Sequence, residues 1–228
     1  MTMPTWVLFD LNGTLLDPRP VASALPVADG EAVVLASLHD AVVQGMVDTL
    51  SGEYRPFLGY VRAALQRQLQ MSGAELDSDS VEAVVELLAR MPPFVDSADA
   101  IALLLDAGLH VGVLTNSGKA PALHALESAG LDDRIERVIA SDAVRAYKPA
   151  TSVYQAAAEQ IGVPPAELVL VSAHWWDVTG AKRVGLGTAW VSAKEQILMP
   201  GSPAPDVQGP SLLDVAQGIV NQIGEREQ

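Results

Sequence analysis

Four stretches of this chain combine residue types that could do chemistry together. The first is Asp10-Leu11-Asn12-Gly13-Thr14, which follows the apolar run WVLF. A carboxylate there can act as a nucleophile or metal ligand, or it can merely close an Asx turn or cap a helix. Gly13 permits close backbone approach, and Thr14 can donate to a carboxylate or a substrate oxygen. The second stretch is LTNS, where Thr115 and Asn116 offer a hydroxyl and an amide. The third is YKP at 147–149. Lys148 can pair with Asp10 and hold it ionised, or it can be a solvated surface lysine. Its proline can open the next helix. Tyr154, six residues beyond Lys148, either faces the same cleft or packs on the core. The fourth stretch is SAHWWD at 172–177, with Ser172, His174, Asp177 and two tryptophans. Large aromatics exclude water and strengthen nearby polar contacts. His174 is a candidate for a direct role or for a structural one. Asp177 can cap the VTGAKRVG helix and still act in catalysis.

These residues need a scaffold that brings strand ends together. TWVLF at 5–9 is a continuous apolar run of strand length, as expected for a parallel sheet covered on both faces. HVGVLTN at 110–116, RVIAS at 137–141, LVLVS at 168–172 and TAWVS at 188–192 complete a set of five. Helical patterns separate most of them. Ile101, Leu104 and Leu105 form one stripe ending at Gly108. Leu123 and Leu126 form another ending at Gly130, and VYQAAAEQIG ends at Gly162. Strands alternating with capped helices predict an open α/β sheet, whose ligands sit beyond the carboxyl ends of the strands. Asp10, Thr115-Asn116, Ser141-Asp142 and Ser172 then share one rim.

The interval 17–93 breaks the rhythm and shows no strand. Three helical spacings occupy it: Val34, Leu38, Ala41, Val42 and Leu50; then Val61, Leu65 and Leu69; then Val81, Val84, Leu88 and Met91. MPPF at 91–94 marks a boundary, because proline disfavours helix at its predecessor. LLDVAQGIVNQIG predicts a last packing helix, with GSPAPDVQGP before it as a loop. The fold class expected is α/β: a Rossmann-like parallel sheet core, residues 1–16 and 94–228, with a small helical cap domain, 17–93, inserted after the first strand.

Composition narrows the functions open to such a fold. The chain has 228 residues, 49% hydrophobic, enough for a substantial core. It has no cysteine, which excludes disulfides, thiolate nucleophiles and Cys-ligated metals. A formal charge of -14 makes nucleic acid and anionic membranes poor partners. A local pocket can still take a small anionic substrate. No signal-like start and no uncharged apolar stretch of membrane-spanning length is expected, so the chain reads as cytoplasmic.

DLNGT, LTNS, YKP and SAHWWD, in this order and spacing, resemble the haloacid dehalogenase superfamily, and the helical insert resembles its cap domain. In that superfamily, phosphatases carry a second aspartate two residues after the nucleophile; here Asn12 stands there. An amide cannot donate and retrieve a proton as a carboxyl group does. Ala173 occupies a position where those Mg²⁺ enzymes usually keep an aspartate. The resemblance is therefore to the (S)-2-haloacid dehalogenase branch, which needs no metal or other cofactor. It implies functional roles for Asp10, Thr14, Thr115, Asn116, Lys148, Tyr154, Ser172, His174 and Asp177. Many members have asparagine at the position of His174, and serine is usual at that of Thr115. Asn12 replaces a usual tyrosine. The arginine that helps bind the leaving halide in the best-known members has no counterpart in VVLASLHDAVVQGMVDTL. His39 lies nearby in rough alignment without being assigned that job, and Arg55 is not at the matching position.

The resemblance implies that Asp10 attacks C2 of a short (S)-2-haloalkanoate to form an aspartyl ester, which water cleaves to the 2-hydroxy acid. Lys148 steadies Asp10. Thr14, Thr115 and Ser172 orient carboxylates, Asn12, Asn116 and Tyr154 contact substrate, and Asp177 helps water, directly or through His174 or Lys148. The alternatives are a Mg²⁺-dependent phosphatase acting on a small phosphorylated metabolite, and a non-catalytic descendant of the scaffold. A homodimer is implied by the resemblance alone.

Overall fold

The computed structural model describes residues 3–74 and 76–226. Its centre is a six-stranded, all-parallel sheet of β1 (Trp6–Phe9), β2 (His110–Thr115), β3 (Arg137–Ala140), β4 (Leu168–Ser172), β5 (Gly187–Val191) and β6 (Val207–Gly209), in the order β3-β2-β1-β4-β5-β6. The helices are α1 (Gly30–Ser51), α2 (Phe57–Met71), α3 (Ser78–Leu88), α4 (Ser97–Asp106), α5 (Lys119–Ser128), α6 (Ser141–Val144), α7 (Thr151–Ile161), α8 (Trp175–Val184) and α9 (Leu212–Arg226). The α/β class expected from the strand–helix alternation is the one observed.

Both sheet faces are buried, and the strand residues divide by parity. Val7, Phe9, Val111, Val113, Val169 and Val171 belong to one apolar cluster, which continues into α1, α2 and α3. Leu8, Leu114, Leu168 and Leu170 belong to a second cluster, with Val153 and Tyr154 of α7 and Ala181 of α8. This two-sided burial is why the strands are continuous apolar runs rather than alternating ones. Phe9 lies opposite Val113 of β2 and Val171 of β4. Asp10 therefore leaves the sheet at its middle, where the connections diverge to either side and an open parallel sheet has its crevice.

The chain crosses between the sheet and α1–α3 at 15–17 and 92–94, side by side. Leu16 bridges Pro93 in antiparallel fashion. Asp17 N–H donates to Pro92 O at 2.8 Å, and Phe94 N–H to Leu15 O at 2.9 Å.

Several expectations change. GSPAPDVQGP is not all loop: Val207–Gly209 adds an edge strand beside Ala189–Val191. Three residues flanked by proline and glycine carry too little periodicity to be seen. Ser141 ends no strand but opens α6, and Asp142 accepts from Lys119 N–H at 2.9 Å, away from the rim centre. Leu50 and Leu123 sit on helices as expected but face outward. α8 begins at Trp175 with His174 as its N-cap, so Asp177 lies inside the first turn and is not the cap. Pro149 does not open α7, which starts at Thr151. Finally, α1 is long and apolar enough, by length and composition, to cross a membrane, although Glu31, Asp40 and Asp48 interrupt it, so it is not an uncharged apolar stretch. Alanine, glycine and serine between its valines dilute the charge without making a uniform apolar run. Its buried stripe of Val33, Val34, Ser37, Ala41 and Gly45 packs inside the protein.

Candidate active site

Five buried polar side chains form one chain of hydrogen bonds at the carboxyl end of β1. Lys148 Nζ donates to Asp10 Oδ1 at 2.8 Å, to Asp177 Oδ2 at 2.6 Å and to the carbonyl of Leu114 at 2.9 Å. All three ammonium protons are thereby used. Tyr154 OH donates to Asp177 Oδ1 at 2.7 Å, and Thr14 Oγ1 to Asp10 Oδ2 at 2.8 Å. Every oxygen of the two carboxylates accepts a hydrogen bond from the protein. A buried ion cluster is tolerable only when satisfied in this way.

One ammonium between two carboxylates cannot serve both equally. Burial works against ionisation of Asp10, but Lys148, then His174, then the bonds from Lys148 and Thr14 outweigh it and hold its carboxyl below the usual range. Asp177 goes the other way. Burial raises it, Lys148 opposes, and the negative charge of Asp10 adds to the rise. Lys148 is itself depressed by burial, yet the two carboxylates overcome this and raise it. Asp10 is thus the more readily ionised of the two, with Lys148 as its counter-ion.

The turn after β1 shapes the approach to Asp10. Gly13 has φ of 81°, in the left-handed region, and a methyl group there would lie 3.2 Å from His174 Nε2. Both the conformation and the contact require glycine. Thr14 Oγ1, while donating to Asp10, accepts from Ala173 N–H at 3.0 Å, so this hydroxyl ties the β1 turn to the β4 turn. His174 Nε2 stands 3.5 Å from Asp10 Oδ2 and 3.2 Å from the carbonyl of Asn12, and its ring stacks on Trp176.

The other expected residues gather on the same rim in different ways. Asn116 Oδ1 accepts from Lys148 N–H at 2.9 Å, while its Nδ2 is buried without an acceptor. Such a donor is costly unless something fills the place beside it. Thr115 Oγ1 accepts from Ser117 N–H, and Ser172 Oγ accepts from His174 N–H. Each of these hydroxyls closes the turn after its strand, and neither bonds to Asp10. Asn12 Nδ2 donates to Ser117 Oγ at 3.2 Å. Tyr154 both packs in the core and bonds to Asp177. Reading residue types misses the Leu114 carbonyl, since backbone carries no signature, and Ser117, whose partner is distant in sequence.

A cavity of about 380 Å³ opens between this rim and α1, lined by Asn12, Gly13, His174 and Trp176 on one side and by Leu35 and Val42 on the other. His39 and Phe57 also line it, so His39 stands on the α1 wall of the rim's own cavity. A second cavity, of about 550 Å³, reaches Gly13, Thr14 and Ala173 from the side of Phe94. Asp10 lines neither directly; Gly13, Thr14 and His174 separate its carboxylate from both. Among the described residues, no group of three or more His, Cys, Asp or Glu side chains is placed to hold a metal ion.

Residues 4–185 match the model of the haloacid dehalogenase-like hydrolases. The (S)-2-haloacid dehalogenase of Xanthobacter autotrophicus is 35% identical over 194 residues, which is 83% of this chain and 76% of that protein. A crystal structure of the L-2-haloacid dehalogenase of the same organism, with chloropropionic acid covalently bound, superposes with a TM-score of 0.85 at 29% identity, over 94% of this chain and 98% of the other. Another L-2-haloacid dehalogenase, RSc1362, gives 0.90 at 27% identity, over 96% and 99%. By motif order, by sheet topology and by these matches, the chain belongs to the haloacid dehalogenase-like hydrolases.

Proposed function

We propose that this protein hydrolyses the carbon–halogen bond of a short (S)-2-haloalkanoic acid through an ester on Asp10, without a metal. The observation that carries the reading is the Asp10–Lys148–Asp177 cluster: an ionised carboxylate at the sheet's crevice, with protein donors on all four carboxylate oxygens. Among the described residues, no third Asp or Glu side chain stands with Asp10 and Asp177 to fill a divalent ion's oxygen shell. The covalent adduct in the Xanthobacter autotrophicus relative supports the same route.

In the first half-reaction an Asp10 oxygen attacks C2, the C2–halogen bond breaks, and halide leaves with the bonding pair. Removing water from the carboxylate makes it a better nucleophile, and Thr14 and Lys148 hold its orientation. Asn116 Nδ2, a buried donor without a partner, suits the departing halide or the substrate's own carboxylate. In the second half-reaction water adds to the ester carbonyl. The C2 oxygen leaves as the hydroxyl of the product, the Asp10 carboxylate is restored, and one proton is released. Asp177 is fully buried and both its oxygens are occupied, so it acts through Lys148. His174 lines the cavity and stands 3.5 Å from Asp10 Oδ2, which supports a contact with the water.

The test is halide release from (S)-2-chloropropionate with and without EDTA. Wild-type protein releases halide and keeps its rate in EDTA, and Asp10→Asn loses at least about 1,000-fold, as removal of a nucleophile does. Activity that needs Mg²⁺ and liberates phosphate from a phosphorylated metabolite would replace this reading with the phosphatase one.

A further inference from the structure

Tyr147, next to the catalytic lysine, packs against α1, α2 and the turn between them. Its ring is buried and stacks on Tyr54 at 5.3 Å between centroids and 16° between planes, with Phe57 at 5.9 Å and the edge of Tyr60 at 5.7 Å. It sits in a notch of α1 that exists only because residue 45 is glycine: a methyl there would come to 2.9 Å from Cγ and Cδ2 of the ring. Thr49, one turn on, donates its hydroxyl proton to the Gly45 carbonyl at 2.8 Å and accepts from Tyr147 N–H at 3.0 Å. The phenol donates to the carbonyl of Arg55 between α1 and α2. Burial above all, with Tyr54 beside it, keeps that phenol protonated and so a donor.

Core packing alone asks for an apolar ring. Here the ring, the backbone N–H and the hydroxyl are each matched to a separate feature of α1 and α2. The next residue's N–H is held by Asn116 Oδ1, and its ammonium by Asp10, Asp177 and Leu114. Two consecutive residues are thus fixed from opposite sides, one by the helices and one by the sheet rim. We infer that Tyr147 is a positioning residue, which sets the Lys148 ammonium against Asp10 according to how α1 and α2 are seated. An insert that is out of place draws the lysine away and leaves the nucleophile without its counter-ion. This rests on the reading of Asp10 as nucleophile and adds a residue that touches neither substrate nor reacting atoms.

Gly45→Ala tests it without altering any polar group of the site. The expected result is a kcat lowered about 10-fold with KM changed less than about 2-fold, since small misplacements of a catalytic group cost rate before affinity. Tyr147→Phe keeps the ring in its notch and retains kcat within about 3-fold, whereas Tyr147→Ala falls further than Gly45→Ala. The decisive readout is the Asp10 carboxyl, followed by 13C NMR through a pH titration. With the ammonium displaced, Asp10 titrates at higher pH in Gly45→Ala than in wild type. If Gly45→Ala lowers only the melting temperature and leaves kcat and the Asp10 titration at wild-type values, Tyr147 is packing and the inference falls. The NMR measurement needs no turnover. A wild-type protein that released no halide would therefore overturn the dehalogenase reading while this inference was still decided by the titration.

Discussion

Asp10 and Asp177 are the same residue type, share one ammonium and lie in the same buried cluster, yet their environments drive them apart. Asp10 has Lys148, His174 and the Thr14 hydroxyl to favour its charge, whereas Asp177 is deeper and feels the charge of Asp10. Such divergence separates the roles of paired carboxylates. It also fixes a pH dependence. Asp10 stays ionised below the usual carboxylate range, so the acid limb of the rate profile belongs to Asp177 and lies above that range. Tyr154→Phe removes the donor on Asp177 Oδ1, which favours the charged form, so Asp177 must rise further. The acid limb then moves to higher pH, and kcat at neutral pH falls about 10-fold for loss of one buried bond to a charged group. A limb that stayed in place, or moved down, would show that Asp177 does not control the profile. All the residues of this cluster were legible in the sequence, because each follows an apolar strand or stands in a short distinctive motif. The Leu114 carbonyl and the Gly45 notch were not, because a backbone acceptor and a missing methyl have no side-chain signature.

At the level of elements, the sheet was readable where burial on both faces produces continuous apolar runs, as in β1, β2 and β4. It was unreadable at β6, whose three residues sit among prolines and glycines and pair only along one edge. Helices in 17–93 could be counted from their spacing, and the stripes of Val61, Leu65 and Leu69 and of Val81, Val84, Leu88 and Met91 are buried as expected. Leu50 and Leu123 face out because their partners are chosen by tertiary packing, not by local period. The turn joining β1 to the site shows how tightly an element can constrain one residue. Gly13→Ala must adopt a left-handed backbone and also displace His174. The expected cost is about 1–2 kcal/mol in stability from the backbone alone, read as a lower midpoint in urea, with a larger loss of halide release because His174 moves. Unchanged stability and activity would mean that the turn relaxes freely.

Taken whole, the molecule places the Asp10 carboxylate at the centre of a six-stranded sheet and covers that sheet end with helices joined to it through two chain segments that meet at Leu16 and Pro93. A single apolar cluster runs from the sheet face into those helices, so the cover is part of the same packing as the strand that carries Asp10. The central claim is that Asp10 itself becomes esterified and that water attacks its carbonyl carbon. The most direct measurement is a single turnover of (S)-2-chloropropionate in H₂¹⁸O with enzyme in excess, followed by mass spectrometry of the product and of the peptide containing Asp10. The account predicts label in the Asp10 carboxylate and none in the hydroxyl of the product. Label in the product hydroxyl, with an unlabelled Asp10 peptide, would mean that water displaces the halide directly and would contradict it.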